Sequence, residues 1–98
     1  ERFAKAYVRG KFNIKKWGRI KIKQALYPHK LSDYILKKAF AEIDDDEYLK
    51  VLQSIIDKKS REVKIKNDFQ RKGKIAHYAI SRGFEPSLVW ELIKAEIK

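Results

Sequence analysis

The chain has 98 residues, a net charge of +11, no cysteine and two histidines. Disulfides and thiolate metal sites are thereby excluded, and no apolar run approaches the ~18 residues that a membrane-spanning helix needs. With 44% hydrophobic residues, there is material for one modest core or a short tandem array.

The apolar spacing predicts six helices and no strands, an all-α fold. The first is expected from the start of the chain to about Phe12, with Phe3, Ala6, Tyr7 and Gly10 on its apolar face. Asn13 to Trp17 reads as a turn. The second runs from about Trp17 to Tyr27, with Ile22, Ala25 and Leu26 at i, i+3, i+4 spacing. Pro28 lacks an amide hydrogen and stops it. Ser32 is a good N-cap for the third helix, whose buried stripe is expected to be Ile35, Ala39, Phe40 and Ile43. Asp44-x-x-Glu47 has capping-box spacing and opens a long fourth helix. Tyr48, Leu49, Leu52, Ile55, Ile56 and Val63 carry that helix to about Ile65. Asn67 caps the fifth helix, and Gly83 suits its left-handed end. Pro86 fits the first position of the sixth, which buries Leu88, Leu92, Ile93 and Ile97, with Trp90 to one side.

Shifted by 53 positions, the chain overlies itself. Lys21-Ile22 falls on Lys74-Ile75, Leu31 on Phe84, Ile35-Leu36 on Leu88-Val89, and Phe40 on Ile93. A matching apolar pattern is one supersecondary unit used twice. The expected organisation is therefore two tandem three-helix units, residues 1–43 and 44–98, in an extended repeat arrangement. Ile22/Ile75, Leu31/Phe84 and Phe40/Ile93 are expected at equivalent buried positions. Tandem helical units more often present a surface than enclose an active site.

Charge is spread unevenly. Residues 1–43 carry a net +9 and residues 44–98 a net +2, and no acid occurs from Arg2 to Ser32. Such a segment repels itself unless solvent or an anionic partner screens it. Seven cations cluster as Arg9, Lys11, Lys15, Lys16, Arg19, Lys21 and Lys23. Eight more follow as Lys58, Lys59, Arg61, Lys64, Lys66, Arg71, Lys72 and Lys74, diluted by Glu62 and Asp68. Both clusters surround the junction of the first and second helices of a unit, so each takes an equivalent place. The first cluster flanks a turn and stands off the apolar stripe. It is expected to face solvent and not to support the core.

In order and spacing, these residues resemble a known family. Glu1-Arg2-Phe3-Ala4-Lys5-Ala6-Tyr7-Val8-Arg9 is similar to the Phe-Ala-x-x-Tyr start of a repeat in the RecX family, the bacterial regulators of the RecA recombinase. Gly18-Arg19-Ile20-Lys21-Ile22-Lys23-Gln24-Ala25-Leu26, then Leu31-Ser32, resembles the next part of that repeat. Lys72 to Phe84, ending Ser81-Arg82-Gly83-Phe84, resembles the last repeat. The resemblance covers nearly the whole chain and corresponds to the second and third of the family's three repeats. The chain starts at Glu1 and has no methionine, as expected of a piece whose first repeat lies elsewhere. One residue departs: Lys30 stands where the family has glycine, so a different turn is expected there, with Pro28 ending the helix. The resemblance implies a non-enzymatic, cytoplasmic bacterial protein that binds the RecA–DNA filament and mainly inhibits it in recombination and repair. Phosphate contacts to single- or double-stranded DNA fit the same positive charge. It implies no cofactor, no small-molecule substrate and no membrane.

The remaining chemistry-bearing residues read as structural. His29 and His77 have no partner at ligand spacing. Asp44-Asp45-Asp46-Glu47 lacks the alternating ligands and glycine of a calcium loop, and helix capping accounts for it. Trp17 reads as a core-edge residue, with base stacking the alternative. Tyr7, Tyr34, Tyr48 and Tyr78 read as core. The competing function is an autonomous, largely non-specific DNA-binding module. Its recognition helices would be the third and sixth, but these expose Asp33, Lys37, Lys38, Glu91 and Lys94, with no base-reading set of Arg, Asn or Gln.

Overall fold

A computed structural model describes residues 1–96. Six helices follow one another: α1 (Arg2–Asn13), α2 (Arg19–Leu26), α3 (Asp33–Phe40), α4 (Asp45–Glu62), α5 (Asp68–Ser81) and α6 (Pro86–Glu96), with a 3-10 turn at Tyr27–His29. No strand occurs among the described residues. Ile97, expected on the buried face of the last helix, lies outside them.

The caps are those the sequence offers. The side chains of Ser32, Asp44 and Asn67 accept from the backbone N–H of Ile35, Glu47 and Gln70, at 3.2, 3.0 and 2.9 Å. Each satisfies an amide the helix leaves open. Asp45, Asp46 and Glu47 then line the first turn of α4, where the helix dipole favours negative charge. At the far end α4 stops at Glu62, three residues short of the expected Ile65, because Val63 turns extended (φ −80°, ψ 117°). Val63 still packs on the core from there.

The 53-residue shift survives in three dimensions. α3 and α6 begin at Asp33 and Pro86 (86 − 33 = 53). Lys30 and Gly83, also 53 apart, both take positive φ, 51° and 99°. The expectation of a different turn at Lys30 is thus corrected. Pro28 does end the α-helix, within the 3-10 turn, and Lys30 still adopts the left-handed conformation at a cost of about 1 kcal/mol.

α1 packs on α2 and α3, while α4 packs on α5 and α6 and α5 on α6. The molecule is elongated, 47 × 24 × 21 Å. One continuous core nevertheless runs through both halves, from Ala4, Val8 and Phe12 to Val89 and Ile93. Tyr48 joins them: it is fully buried, with its ring 5.7 Å from Phe12 and 5.1 Å from Phe84 between centroids.

Several burial expectations are corrected. On α1 the buried stripe is Ala4, Val8 and Phe12, not Phe3, Ala6, Tyr7 and Gly10. Small Ala4 and Ala39, both fully buried, lie where α1 and α3 pack. The bulkier Phe3 and Tyr7 are left on the flank, grouped with His29. Ile22, Ile75, Phe84 and Ile93 are fully buried, but Leu31 and Phe40 are half-buried. Phe84 is covered by Tyr48 of α4, whereas Leu31 borders an open groove with Leu26 and Leu36. Tyr34 and Leu49 are exposed rather than core.

Candidate functional site

The two halves meet at a joint made by the start of α2 and the turn between α5 and α6. Gly18, extended at the N-cap of α2, donates its N–H to the Arg82 carbonyl at 2.8 Å. Ile20 donates to the Gly83 carbonyl at 2.9 Å. Gly83 is left-handed and closes a Schellman end on α5, with Phe84 N–H returning to the Ala79 carbonyl and Gly83 N–H to that of Ile80.

Beside these backbone contacts Arg19 forms a polar clamp. Its Nη1 donates to Glu85 Oε2 at 3.1 Å and its Nη2 to Asp45 Oδ1 at 2.7 Å. The guanidinium lies 3.9 Å from the Tyr48 ring centroid. The Tyr48 hydroxyl accepts from Arg19 N–H at 3.0 Å and donates to Glu85. Burial pushes this hydroxyl well above the usual phenol range, and the bond to Glu85 pushes it further. Arg19 therefore does support the fold, contrary to the expectation for its cluster. The sequence gives no sign of this, since Asp45, Tyr48 and Glu85 are 26 to 66 positions away.

Others of the first cluster are engaged too. Arg9 pairs with Glu42 at 3.5 Å. Lys11 and Lys21 lie against the Trp17 ring, 4.8 and 4.6 Å from its centroid. Trp17 is half-buried at the core edge, so its faces are committed to these cations. Lys15, Lys16 and Lys23 remain exposed. In the second cluster, Arg71 donates to the Ser60 carbonyl and hydroxyl, and Lys72 pairs with Asp68 at 2.9 Å. Lys59 rests 4.5 Å from the Tyr78 ring centroid. Lys58, Arg61, Lys64, Lys66 and Lys74 are exposed.

The structure brings part of the two clusters together. Lys16, from the α1–α2 connection, joins Lys58 and Lys59 of α4 in a cleft of about 290 Å³. Arg82 at the end of α5 completes it, with Tyr78, Ile55 and Ser54 on its walls and Glu62 as its one acid. Arg82 Nη2 is held by the Lys15 carbonyl. Sequence reasoning missed Arg82 as a candidate because it sits alone in the helix-ending Ser81-Arg82-Gly83-Phe84 run, outside both clusters. Lys64, Lys66 and Lys74 do not line this cleft.

Among the described residues no group of His, Cys, Asp or Glu could hold a metal ion. No helix of the described residues is long and apolar enough to cross a membrane. His77 is exposed on α5, and His29 belongs to the 3-10 turn.

Comparison with protein families matches residues 1–39 to the second three-helix domain of RecX and residues 45–93 to its third. Comparison with curated proteins finds no match, and neither does comparison with solved structures. The two matched segments span most of the chain in the order and helix count seen in the fold. RecX proteins are non-enzymatic regulators of RecA, and this chain belongs to the RecX family, as its second and third three-helix domains.

Proposed function

We propose that this chain binds the RecA–DNA filament in the bacterial cytoplasm and inhibits recombinase activity, with residues 1–43 and 44–98 acting as two linked units. The observation that carries this reading is the surface left over once the fold is satisfied. Internal contacts take up Arg9, Arg19 and Lys72 as ion pairs and Lys11 and Lys21 on Trp17. Lys15, Lys16, Lys23, Lys58, Arg61, Lys64, Lys66 and Lys74 stay exposed on an elongated body. A rigid, cationic, elongated surface suits a long anionic assembly, where many weak phosphate or carboxylate contacts add along its length. The clamp at Arg19 and the Gly18–Gly83 contact fix the angle between the units, so both can engage at once.

Co-sedimentation with RecA filaments on single-stranded DNA, with DNA alone as control, tests this. Retention by filaments well above retention by bare DNA, falling steeply with salt, is the expected result. Equal retention by bare DNA would instead identify a non-specific DNA-binding module.

A further inference from the structure

We propose that the cleft between the two units is a phosphate site that takes the backbone of a nucleic-acid strand. Four cations, Lys16, Lys58, Lys59 and Arg82, converge there against one carboxylate, Glu62. No ion pair found among the described residues involves any of the four; those found there use Lys5, Arg9, Arg19 and Lys72. A protein that gained nothing from this convergence would pay for its like-charge repulsion, whereas a bound anion relieves it. Lys59 is steadied on the Tyr78 ring and Arg82 by the Lys15 carbonyl, so two of the four are pre-positioned. Arg82 is also incompletely satisfied: its Nε is buried with no hydrogen-bond partner among the described residues.

The size and surroundings favour a strand over an isolated carboxylate. The cleft measures about 290 Å³, against ~30 Å³ for one water in the liquid, so a phosphate enters with part of its hydration shell. The excess of positive charge exceeds what one carboxylate neutralises. Exposed cations also continue beyond the cleft, with Lys15 next to Lys16 and Arg61 one turn along α4 from Lys58. Successive phosphodiesters would meet successive cations. The cleft draws on the α1–α2 connection from one unit and on α4 and α5 from the other, so an occupant ties the units together and stabilises the folded chain. The site needs no RecA, and its fate is independent of the filament reading above.

The test is fluorescence anisotropy of a labelled oligothymidylate with the parent chain and three variants. Lys58→Gln/Lys59→Gln and Lys16→Gln/Lys58→Gln each remove two cleft cations, and the second spares the Lys59–Tyr78 contact. Lys37→Gln/Lys38→Gln removes the same charge from exposed positions on α3. Both cleft variants should lose at least about tenfold in affinity, and their salt dependence should flatten by about one unit of slope. The α3 variant should lose less than about threefold, and circular dichroism should show all three folded. Inorganic tripolyphosphate should compete with the oligonucleotide and raise the melting temperature of the parent but not of the cleft variants. Equal losses in the cleft and α3 variants would overturn the site, leaving only diffuse charge. Displacement of the oligonucleotide by polyglutamate as effectively as by tripolyphosphate would overturn the phosphate assignment in favour of an acidic protein segment.

Discussion

Gly18 and Gly83 touch backbone to backbone across the joint between the two units: a Cβ on Gly18 would stand 2.2 Å from the Gly83 carbonyl carbon, and one on Gly83 would stand 2.3 Å from Lys21 Cβ. Neither neighbour can swing aside, because one is backbone and the other is the first atom of a side chain. The two backbone–backbone hydrogen bonds between the units, Gly18 to Arg82 and Ile20 to Gly83, depend on this approach.

Gly18→Ala should therefore destabilise the chain by about 3 kcal/mol, the upper part of the range for overpacking. Gly83→Ala should cost at least as much, since its φ of 99° adds strain to the clash. Gly10→Ala and Gly73→Ala provide the contrast. Both glycines lie inside helices with nothing within 4 Å of an added Cβ, so each substitution should stabilise by about 0.5–1 kcal/mol. Urea melts of the four variants measure all of this, and equal effects at Gly18 and Gly10 would contradict the tight joint.

Arg19 spans the same joint with a planar fork. Arg19→Ala should cost about 2 kcal/mol, the range for hydrogen bonds to charged groups, because it strands Glu85 beside the buried Tyr48 hydroxyl. Arg19→Lys should recover only part of this, since a compact ammonium lacks the planar fork that reaches Asp45 and Glu85 while lying on the Tyr48 ring. Chemical denaturation of the three proteins decides it. A Lys variant as stable as the parent would mean that charge alone matters there.

The raised pKa of Tyr48 makes stability depend on pH at the alkaline end. The folded chain keeps this phenolic proton after the unfolded chain, with its ordinary value of 10.0, has lost it. The native state then binds more protons, so stability falls as pH rises. The contribution is fully present below about pH 10 and is lost as pH climbs toward the higher folded value. Thermal melts from about pH 8 to 11 should fall more steeply for the parent than for Tyr48→Phe, which is less stable at neutral pH but lacks this proton. Absorbance titration should show one of the five tyrosines ionising only as the protein unfolds. Parallel slopes for parent and variant would mean that Tyr48 is not shielded.

Helix order, caps and the internal repeat were legible in the sequence because each rests on neighbours in the chain. Ser32, Asp44 and Asn67 cap within three residues of themselves, and the 53-residue register follows apolar spacing. Burial was less legible, because it depends on which face a partner covers. α1 carries two adjacent apolar stripes, and only the packing of α3 selects Ala4, Val8 and Phe12 over Phe3 and Tyr7. Phe40 and Ile93 match in the repeat, yet Phe40 is only half-covered. The basic clusters were visible as charge, but which cations the fold uses was not. Arg19 finds its partners at Asp45 and Glu85, and the cleft needs Arg82, which no local pattern singles out.

That sorting of cations changes where filament binding should reside. In the first cluster Arg9, Lys11, Arg19 and Lys21 are held by Glu42, Trp17, Asp45 and Glu85. In the second, Arg61, Lys64 and Lys66 stand exposed at the end of α4 and in the connection to α5. None of the three enters an ion pair among the described residues. Reversing them to Glu should leave the melting temperature within a few degrees of the parent, since exposed charges away from packing contribute little. It should weaken binding to RecA filaments by at least about tenfold and reduce its salt dependence, because each lost contact no longer releases a counterion. Reversal of Lys37, Lys38 and Lys50, also exposed, changes net charge by the same amount and should cost far less. Interferometry with immobilised filaments at two salt concentrations compares the sets. Equal losses from both would reduce the interaction to net charge, and no loss from the first set would place the contact surface on Lys15, Lys16 and Lys23 instead.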